Sequence, residues 1–350
     1  YVEFHQKAKA VVESVAPIAA VNSIDEMWIR LSGRDQPRPA AEALAREIKY
    51  RLRNQLGECI TCSVGIAPNT FLAKTASDMV KPDGLVVIEP VDLPQVLMPL
   101  KLNHFVGIGR KMLQRLNDHG ITSTPQLLAA DVARLREIWG GVEGERFWQK
   151  LRGEDIQLRE TSTSSISHSH VLAPDKRSHT RAQAVLSRLT QKAAMRLRDG
   201  EYVSTDVSIY LKLRGGEKVK AHQRIDATDR TPAILHSITA LYEKLLGDRN
   251  VRNTPPTAVG MALSGLLPRE GQSLSLFDAQ PNTEKLDRVV DQLNLKYGKN
   301  TLFWGGAFSA QQSARMAIAF NHIPDLVIES DQTGKALSPV APPVNRRRSV

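Results

Sequence analysis

The chain has 350 residues, of which 41% are hydrophobic and 24% are charged. These values are ordinary for a folded globular protein and argue against an extensively disordered chain. The net charge of +10 indicates a polyanionic partner such as nucleic acid, because an excess of Lys and Arg attracts phosphate backbones.

The positive charge is unevenly distributed along the chain. Residues 1–100 carry 11 Lys and Arg against 12 Asp and Glu, whereas residues 165–265 carry 16 against 9. We therefore expect a catalytic or structural role for the first part and electrostatic binding of a polyanion by the second. A basic surface with no specific ligand is the alternative. No apolar run approaches the roughly 18 residues that span a membrane, so we predict no membrane partner.

The first hundred residues alternate helical and strand patterns. Apolar residues at helical spacing predict helices at 40–53 and 69–79, and short apolar runs predict strands at 60–66 and 85–88. A K-P-D-G turn at 81–84 separates the second helix from the second strand. This alternation predicts a layered domain of sheet and helices.

Two pairs of residues in this region could carry chemistry. Asp25 and Glu26 interrupt two short β-runs in V-N-S-I-D-E-M-W-I, where a polar turn between strands is the simple interpretation. Cys59 and Cys62 form C-I-T-C, but no second Cys or His pair stands at zinc-ligand spacing. Positions three apart on a strand face opposite sides, so we interpret both cysteines as packing residues of a buried strand in a reducing cytosol.

Residues 101–153 read as helical, with a glycine hairpin at the mouth of one helix. In H-F-V-G-I-G-R-K, Gly107 and Gly109 would let backbone N–H groups meet a phosphate, and Arg110 and Lys111 add cations beside them. The spacing predicts a helix-hairpin-helix motif that grips the DNA backbone without reading sequence. A tight turn between two helices is the alternative.

A Thr- and Ser-rich stretch at 154–165 reads as a linker. Residues 166–267 follow the order β-α-β-β-α-β, which predicts a ferredoxin-like arrangement of four strands and two helices. Residues 268–350 read as a tail with a few helical turns and a disordered end. The fold class predicted for the whole chain is α+β and multidomain.

The stretch C-S-V-G-I-A-P-N-T-F-L-A-K-T-A-S-D-M-V-K-P-D-G-L, residues 62–85, together with S-I-D-E, closely resembles the Y-family DNA polymerases of the bacterial polymerase IV and V type. The resemblance covers nearly the whole chain. It implies a partial palm at 1–100, a helix-hairpin-helix thumb at 101–153 and a little finger that binds DNA at 166–267. The activity it implies is error-prone DNA synthesis past damaged bases.

The resemblance also assigns roles to three residues of the palm. Asp25 and Glu26 match two of the three carboxylates that hold a pair of Mg²⁺ ions, for which Mn²⁺ could substitute. Lys74 matches the lysine that reaches the incoming triphosphate, with a solvated helix lysine as the alternative. Thr70 and Arg30 depart from the family pattern. Neither is a metal ligand, so these departures affect the assignment of a subfamily and not that of the function.

One family motif has no counterpart here. Family members carry an earlier strand, D-x-D-x-F-F-A, with the third metal carboxylate and an aromatic steric gate, and nothing similar precedes Val21. The first residue, Tyr1, is not Met. We therefore expect an N-terminally truncated fragment that binds DNA and polymerises poorly.

Binding to DNA and to a sliding clamp is expected from the second half of the chain. The stretch G-Q-S-L-S-L-F-D at 271–278 resembles the peptide by which bacterial polymerases hook the sliding clamp, and a segment packing on its own domain is the alternative. The expected DNA contacts of the little finger are Arg177, Lys212, Arg214, Lys218, Lys220 and Arg224, and the expected clamp contacts are Gln272, Leu274, Leu276 and Phe277.

The sequence therefore favours a template-directed, Mg²⁺-dependent nucleotidyltransferase acting on primer–template DNA and deoxynucleoside triphosphates in the bacterial cytoplasm, at the nucleoid. A non-catalytic adaptor that binds DNA and the clamp is the second hypothesis. A structure-specific helix-hairpin-helix DNA binder is the third, and it leaves the palm motifs unexplained.

Overall fold

The computed structural model describes residues 1–156, 163–270, 283–298 and 301–310, which fall into two compact units. Residues up to 156 belong to the first unit, and those from 163 onwards belong to the second. The division falls within the stretch predicted as a linker.

The first unit begins with short strands and long helices. Strands β1 and β2 pair antiparallel as a hairpin, whereas β3 and β4 pair parallel. The elements are α1 (Val2–Glu13), β1 (Ala20–Val21), β2 (Met27–Trp28), α2 (Arg38–Leu56), β3 (Val64–Ile66), α3 (Thr70–Met79) and β4 (Leu85–Val87).

The helices predicted at 40–53 and 69–79 are confirmed as α2 and α3. The strand predicted at 60–66 is wrong in its first half, since β3 begins at Val64. The reason is that β4 offers only three residues for pairing. The interpretation of both cysteines as packing residues of a buried strand is wrong for Cys59, which is exposed, whereas Cys62 is half-buried and packs on the cluster of α1 and α2. Gly65 allows α3 to lie directly on β3, because a Cβ at this position would come within 2.0 Å of Ala73 O.

Four helices complete the first unit, as the helical pattern at 101–153 predicts. Their buried leucines, isoleucines and phenylalanines form one core with the inner face of α3. A close approach of α6 and α7 is possible because position 144 is Gly, where a Cβ would lie 2.1 Å from Leu135 O. The helices are α4 (Arg110–Asp118), α5 (Thr124–Ala129), α6 (Val132–Trp139) and α7 (Val142–Leu151).

The second unit has the predicted element order β-α-β-β-α-β. Its sheet has the strand order β5-β8-β6-β7, and every strand pairs antiparallel with its neighbours. Strands β5 and β6 therefore run parallel with β8 between them, and β8 and β7 run parallel with β6 between them. The predicted ferredoxin-like arrangement is therefore wrong in its strand order, because that fold has its first and third strands in the centre and here the second and fourth are central. The element order is local information, whereas the insertion of β8 between β5 and β6 depends on long-range pairing. The elements are β5 (Ser165–Val171), α8 (His179–Asp199), β6 (Tyr202–Leu213), β7 (Lys218–Thr228), α9 (Thr231–Leu246), α10 (Arg249–Asn253) and β8 (Pro256–Pro268).

The second unit extends beyond residue 267. Helix α11 (Thr283–Tyr297) and a 3-10 helix (Gly305–Ala310) belong to it. The buried guanidinium of Arg198 binds both carboxylate oxygens of Asp291, at 2.6 and 2.9 Å, and Asp287 accepts from the first backbone N–H of α9, at Thr231. These contacts attach α11 to α8 and α9.

Candidate active site and nucleic-acid interface

The acidic pair lies in the turn of the β1–β2 hairpin. The backbone N–H groups of Asn22 and Ser23 donate to Glu26 O, at 2.9 and 3.2 Å, and the Ser23 hydroxyl donates to Asp25 Oδ1 at 2.7 Å. Asp25 is exposed and Glu26 is partly exposed. The pair therefore does sit in a polar turn, and this turn presents both carboxylates to solvent at the end of a hairpin.

Lys74 lies against this turn. Its Nζ is 2.8 Å from Glu26 Oε1 and 3.1 Å from the Asp78 carboxylate, one helical turn further along α3. Burial by itself would lower the pKa of Lys74, but the hydrogen bonds to Glu26 and Asp78 outweigh it and raise the pKa above its ordinary value. The structure thus brings together the three predicted palm residues and keeps the lysine charged.

Asn69 fixes the helix that carries Lys74. Its buried side chain accepts from Leu72 N at 2.8 Å, which caps the N-terminus of α3. The same amide donates to the backbone oxygens of Lys150 and Glu154, at 2.9 and 3.0 Å, at the end of α7. One buried amide therefore ties the start of α3 to the last of the four helices.

The glycine hairpin before α4 leaves its backbone open on one side. Gly107 has φ +91°, a backbone conformation that favours glycine, and a Cβ at Gly107 or Gly109 would meet nothing within 4 Å. Ile108 between them is buried and anchors the hairpin in the core. Arg110 and Lys111, the first two residues of α4, are both exposed.

The register of β6 and β7 collects four of the predicted DNA contacts on one face. Lys212 pairs with Lys218, Tyr210 with Lys220, and Asp206 with Arg224. Side chains two apart on a strand share a face, so these cations stand opposite the buried Val207, Ile209 and Leu211. We call Lys212, Lys218, Lys220 and Arg224 the cationic sheet face.

Comparisons with known proteins identify related sequences in both units of the chain. Two family models match: impB/mucB/samB family at residues 1–78 and impB/mucB/samB family C-terminal domain at residues 163–276. DNA polymerase IV of Moorella thermoacetica is 31% identical over 311 residues, covering 86% of this chain and 75% of the relative. DNA polymerase IV 1 of Bacillus subtilis is 26% identical over 310 residues, covering 85% and 72%.

The chain belongs to the impB/mucB/samB family, the Y-family of translesion DNA polymerases. Its function is DNA-directed DNA synthesis past damaged bases. A solved chimera of the Y-family polymerases Dbh and Dpo4 shares the fold, with a TM-score of 0.61, 22% identity and coverage of 76% of each chain. The Y-family resemblance and the α+β class predicted from the sequence are both confirmed.

The residues present in this Y-family chain fit a divalent metal as a partial ligand set. Among the residues described, no three Asp, Glu, His or Cys side chains cluster in a way that could hold a metal ion. Mg²⁺ commonly takes one or two protein carboxylates and completes its shell with water and substrate phosphates. Asp25 and Glu26 supply two such oxygen donors at an exposed turn.

The remaining predicted contacts of the Y-family chain are placed differently. Arg177 is half-buried and its Nε donates to Leu172 O at 3.2 Å, so it lies off the cationic sheet face, whereas Arg214 is exposed in the β6–β7 turn. The predicted clamp peptide lies outside the described residues. In the described ranges, every helix is too short or too polar to cross a bilayer.

Sequence reasoning missed two residues that the structure places at these sites. Tyr210 shares the cationic sheet face, and the Nζ of Lys218 lies 3.7 Å from its ring centroid. The strict alternation of β6 could have identified it. His5 is the second: it contacts the acidic turn from α1, and no local pattern in the sequence signals that contact.

Proposed function

We propose that Asp25, Glu26 and Lys74 form the nucleotidyl-transfer site of this Y-family polymerase. The contact between Lys74 and Glu26 carries the proposal, since the lysine ammonium lies beside the predicted metal ligands. When bound, a pair of Mg²⁺ ions, or Mn²⁺ as a substitute, supplies charge neutralisation at the attacking and leaving oxygens. Asp25 and Glu26 would hold the ions through their hard carboxylate oxygens.

Lys74 binds the incoming deoxynucleoside triphosphate in this scheme. The ammonium is held between Glu26 and Asp78, and it exchanges the Glu26 contact for the β- and γ-phosphates when the nucleotide arrives. A point charge suits this role because phosphoryl transfer depends mainly on positioning and neutralisation of charge.

The DNA contacts of the proposal come from two surfaces. The Gly107–Gly109 hairpin, with Arg110 and Lys111, binds backbone phosphates of the primer–template through exposed N–H groups and side-chain cations. The cationic sheet face follows the duplex through further phosphate contacts. Phosphate contacts of this kind do not depend on the DNA sequence, which suits a polymerase that must act at any damaged site.

A sliding clamp is the proposed protein partner. Gln272, Leu274, Leu276 and Phe277 would enter its groove as an extended peptide, with Leu276 and Phe277 as the apolar anchors. The support is the spacing of these residues and their position after β8, the last strand of the sheet.

The alternative function is a non-catalytic adaptor that binds DNA and the clamp. An adaptor has no use for a cation placed 2.8 Å from one of two adjacent solvent-accessible carboxylates, beside a turn ordered by its own hydrogen bonds. The Lys74–Glu26 geometry therefore favours the enzyme.

Primer extension with Mg²⁺ tests the proposal. We compare the protein with its Asp25→Asn/Glu26→Gln variant, which keeps the shape of both side chains and removes their charge. Glu58→Gln, a carboxylate outside the site, is the matched control. The double variant should bind primer–template normally and lose extension, while the control extends normally.

Two other results would contradict the proposal. Extension that survives in the double variant would remove Asp25 and Glu26 from the metal site. A protein that binds primer–template and never extends it would point to the adaptor.

A further inference from the structure

His5 reaches the acidic turn from the first helix. It lies near the start of α1, its side chain is buried with 5% exposure, and its Nδ1 is 2.6 Å from Ile24 O. A carbonyl oxygen only accepts hydrogen bonds, so Nδ1 must carry the proton. The imidazole therefore donates to the backbone carbonyl immediately before Asp25.

That carbonyl belongs to the peptide that leads into the acidic pair. Because a peptide unit is planar, fixing the Ile24 oxygen also fixes the directions of the Asp25 N–H and Cα. The Asp25 N–H points to Ser23 Oγ at 3.4 Å, and the Ile24 side chain is buried. Both ends of the peptide unit are thus restrained.

The restraint from His5 differs in origin from the others. Of the hydrogen bonds that the described residues make to the backbone of the turn, those from Asn22 and Ser23 arise within the hairpin, and the one from His5 comes from another element. That bond links the backbone of the turn to helix α1, whereas Lys74 of α3 contacts the turn through the Glu26 side chain.

The helix that carries His5 is itself firmly placed. Val11 and Val12 of α1 are buried against Ile48 and Leu52 of α2, and Met27 of β2 packs on the same cluster. A donor on a packed helix holds its acceptor more tightly than a donor on a loop, because the helix has little freedom to move.

We propose that His5 is a positioning residue for the Asp25–Glu26 pair. Its hydrogen bond to Ile24 O orients the peptide that aims both carboxylates at the divalent ions and the nucleotide. This role rests on the metal-ligand function proposed above. Partners that orient metal ligands typically contribute about 10–100-fold to metal affinity or activity, which sets the expected size of the effect.

Two substitutions of equal shape isolate the hydrogen bond. In His5→Asn the amide nitrogen occupies the place of Nδ1 and can still donate, whereas His5→Leu has the same branching and no donor. Glu3→Gln, on the exposed side of α1, is the control for general effects on the helix. The three variants are compared with the unmodified protein.

Two measurements are made on each variant. Amide hydrogen exchange of a peptide spanning residues 22–28 reports the order of the turn without any metal. The second measurement is the Mn²⁺ affinity in the presence of primer–template, obtained from the electron paramagnetic resonance signal of the free ion. It reports metal binding by the two carboxylates. His5→Leu should exchange faster over 22–28 and bind Mn²⁺ about 10–100-fold more weakly, and His5→Asn should recover most of both.

The proposal is overturned if His5→Leu has the same exchange rate and Mn²⁺ affinity as the unmodified protein. It is also overturned if His5→Asn recovers neither the exchange protection nor the Mn²⁺ affinity that His5→Leu loses. If His5→Leu fails to fold, His5→Ala with added imidazole replaces it, and a turn that does not regain protection with imidazole overturns the proposal.

Failure of the proposed function itself looks different. Mn²⁺ affinity would then be unchanged in Asp25→Asn/Glu26→Gln, while the exchange data would still decide whether His5 orders the turn.

Discussion

The Nζ of Lys74 lies 2.8 Å from Glu26 Oε1, and this contact joins helix α3 to the β1–β2 hairpin. A second carboxylate, Asp78, holds the same ammonium from one turn further along α3 and also binds Lys81 at 2.7 Å. Burial alone would raise the pKa of Asp78, but Lys81 and Lys74 lower it below its ordinary value. The site thus keeps its opposite charges in place before any substrate arrives.

Replacing Lys74 with Met should weaken binding of the incoming nucleotide. A hydrogen bond to a charged group contributes about 1.5–3 kcal/mol, which corresponds to roughly a 10–100-fold rise in the nucleotide Kd. Single-turnover insertion at increasing nucleotide concentration measures it. Lys81→Met is the matched control, because Lys81 shares the Asp78 carboxylate without contacting Glu26. Equal effects of the two substitutions would remove the special role of Lys74.

Neutralising Arg110 and Lys111 should lower the salt dependence of DNA binding. Each phosphate contact contributes about 0.9 to the slope of log affinity against log salt, so Arg110→Gln/Lys111→Gln should reduce the slope by about 2. Fluorescence anisotropy of labelled primer–template at several salt concentrations provides the slope. Arg136→Gln, on α6 and paired with Glu145, should leave it unchanged. An unaltered slope in the double variant would contradict phosphate contact at the hairpin.

The cationic sheet face should contribute in the same way. Lys218→Gln/Lys220→Gln/Arg224→Gln removes three cations and should lower the slope by about 3. Lys244→Gln is the control, since Lys244 is exposed on α9, which packs on the other face of the sheet. If Lys244→Gln lowers the slope as much per cation as the triple variant does, the DNA is bound by a diffuse basic surface and not by the cationic sheet face.

The attachment of α11 should depend on pH through Asp287. Burial raises the pKa of this carboxyl, against the opposing effects of Arg198 and Thr231, and its Oδ1 has no hydrogen-bond partner within the part of the chain that the structure describes. A raised pKa means that the folded state binds the proton more tightly than the unfolded state. The contribution of Asp287 to the free energy of unfolding is therefore fully present below its pKa in the unfolded state, about 4. It is lost as the pH rises through its pKa in the folded state.

Asp287→Asn removes this dependence while keeping an oxygen for the Thr231 N–H. The thermal midpoint of the variant relative to the unmodified protein should therefore be higher at pH 7.5 than at about pH 4, where the Asp287 carboxyl is largely protonated in both states. Asp291→Asn, which breaks the paired contact with Arg198, should lower the midpoint at both pH values. A midpoint difference for Asp287→Asn that does not change with pH would show that its ionisation does not affect stability.

Local patterns in the sequence were sufficient for most of the secondary structure. Helices α2 and α3 follow from apolar periodicity, and Asn69 marks the start of α3 because its side chain caps the helix. The alternation of β6 likewise predicts which residues face away from the core. The strand predicted at 60–66 was wrong at its start, because apolar residues form a ladder only where a neighbouring strand is available.

The contacts that organise the sites depend on long-range packing. His5 and Ile24 are 19 residues apart, Glu26 and Lys74 are 48 apart by residue number, and Arg198 and Asp291 are 93 apart. No helical or strand period connects such positions, so the sequence identifies Asp25, Glu26 and Lys74 by motif and leaves their supporting partners unidentified.

The sequence by itself therefore determined the family, the order of the elements and the chemical type of each candidate site residue. Only the tertiary structure decided that Lys74 meets Glu26, that His5 donates to the acidic turn and that α11 packs on α8 and α9. The physical reason is that periodicity and capping are local, whereas hydrogen bonds between distant residues form only after the hydrophobic cores have placed their elements side by side.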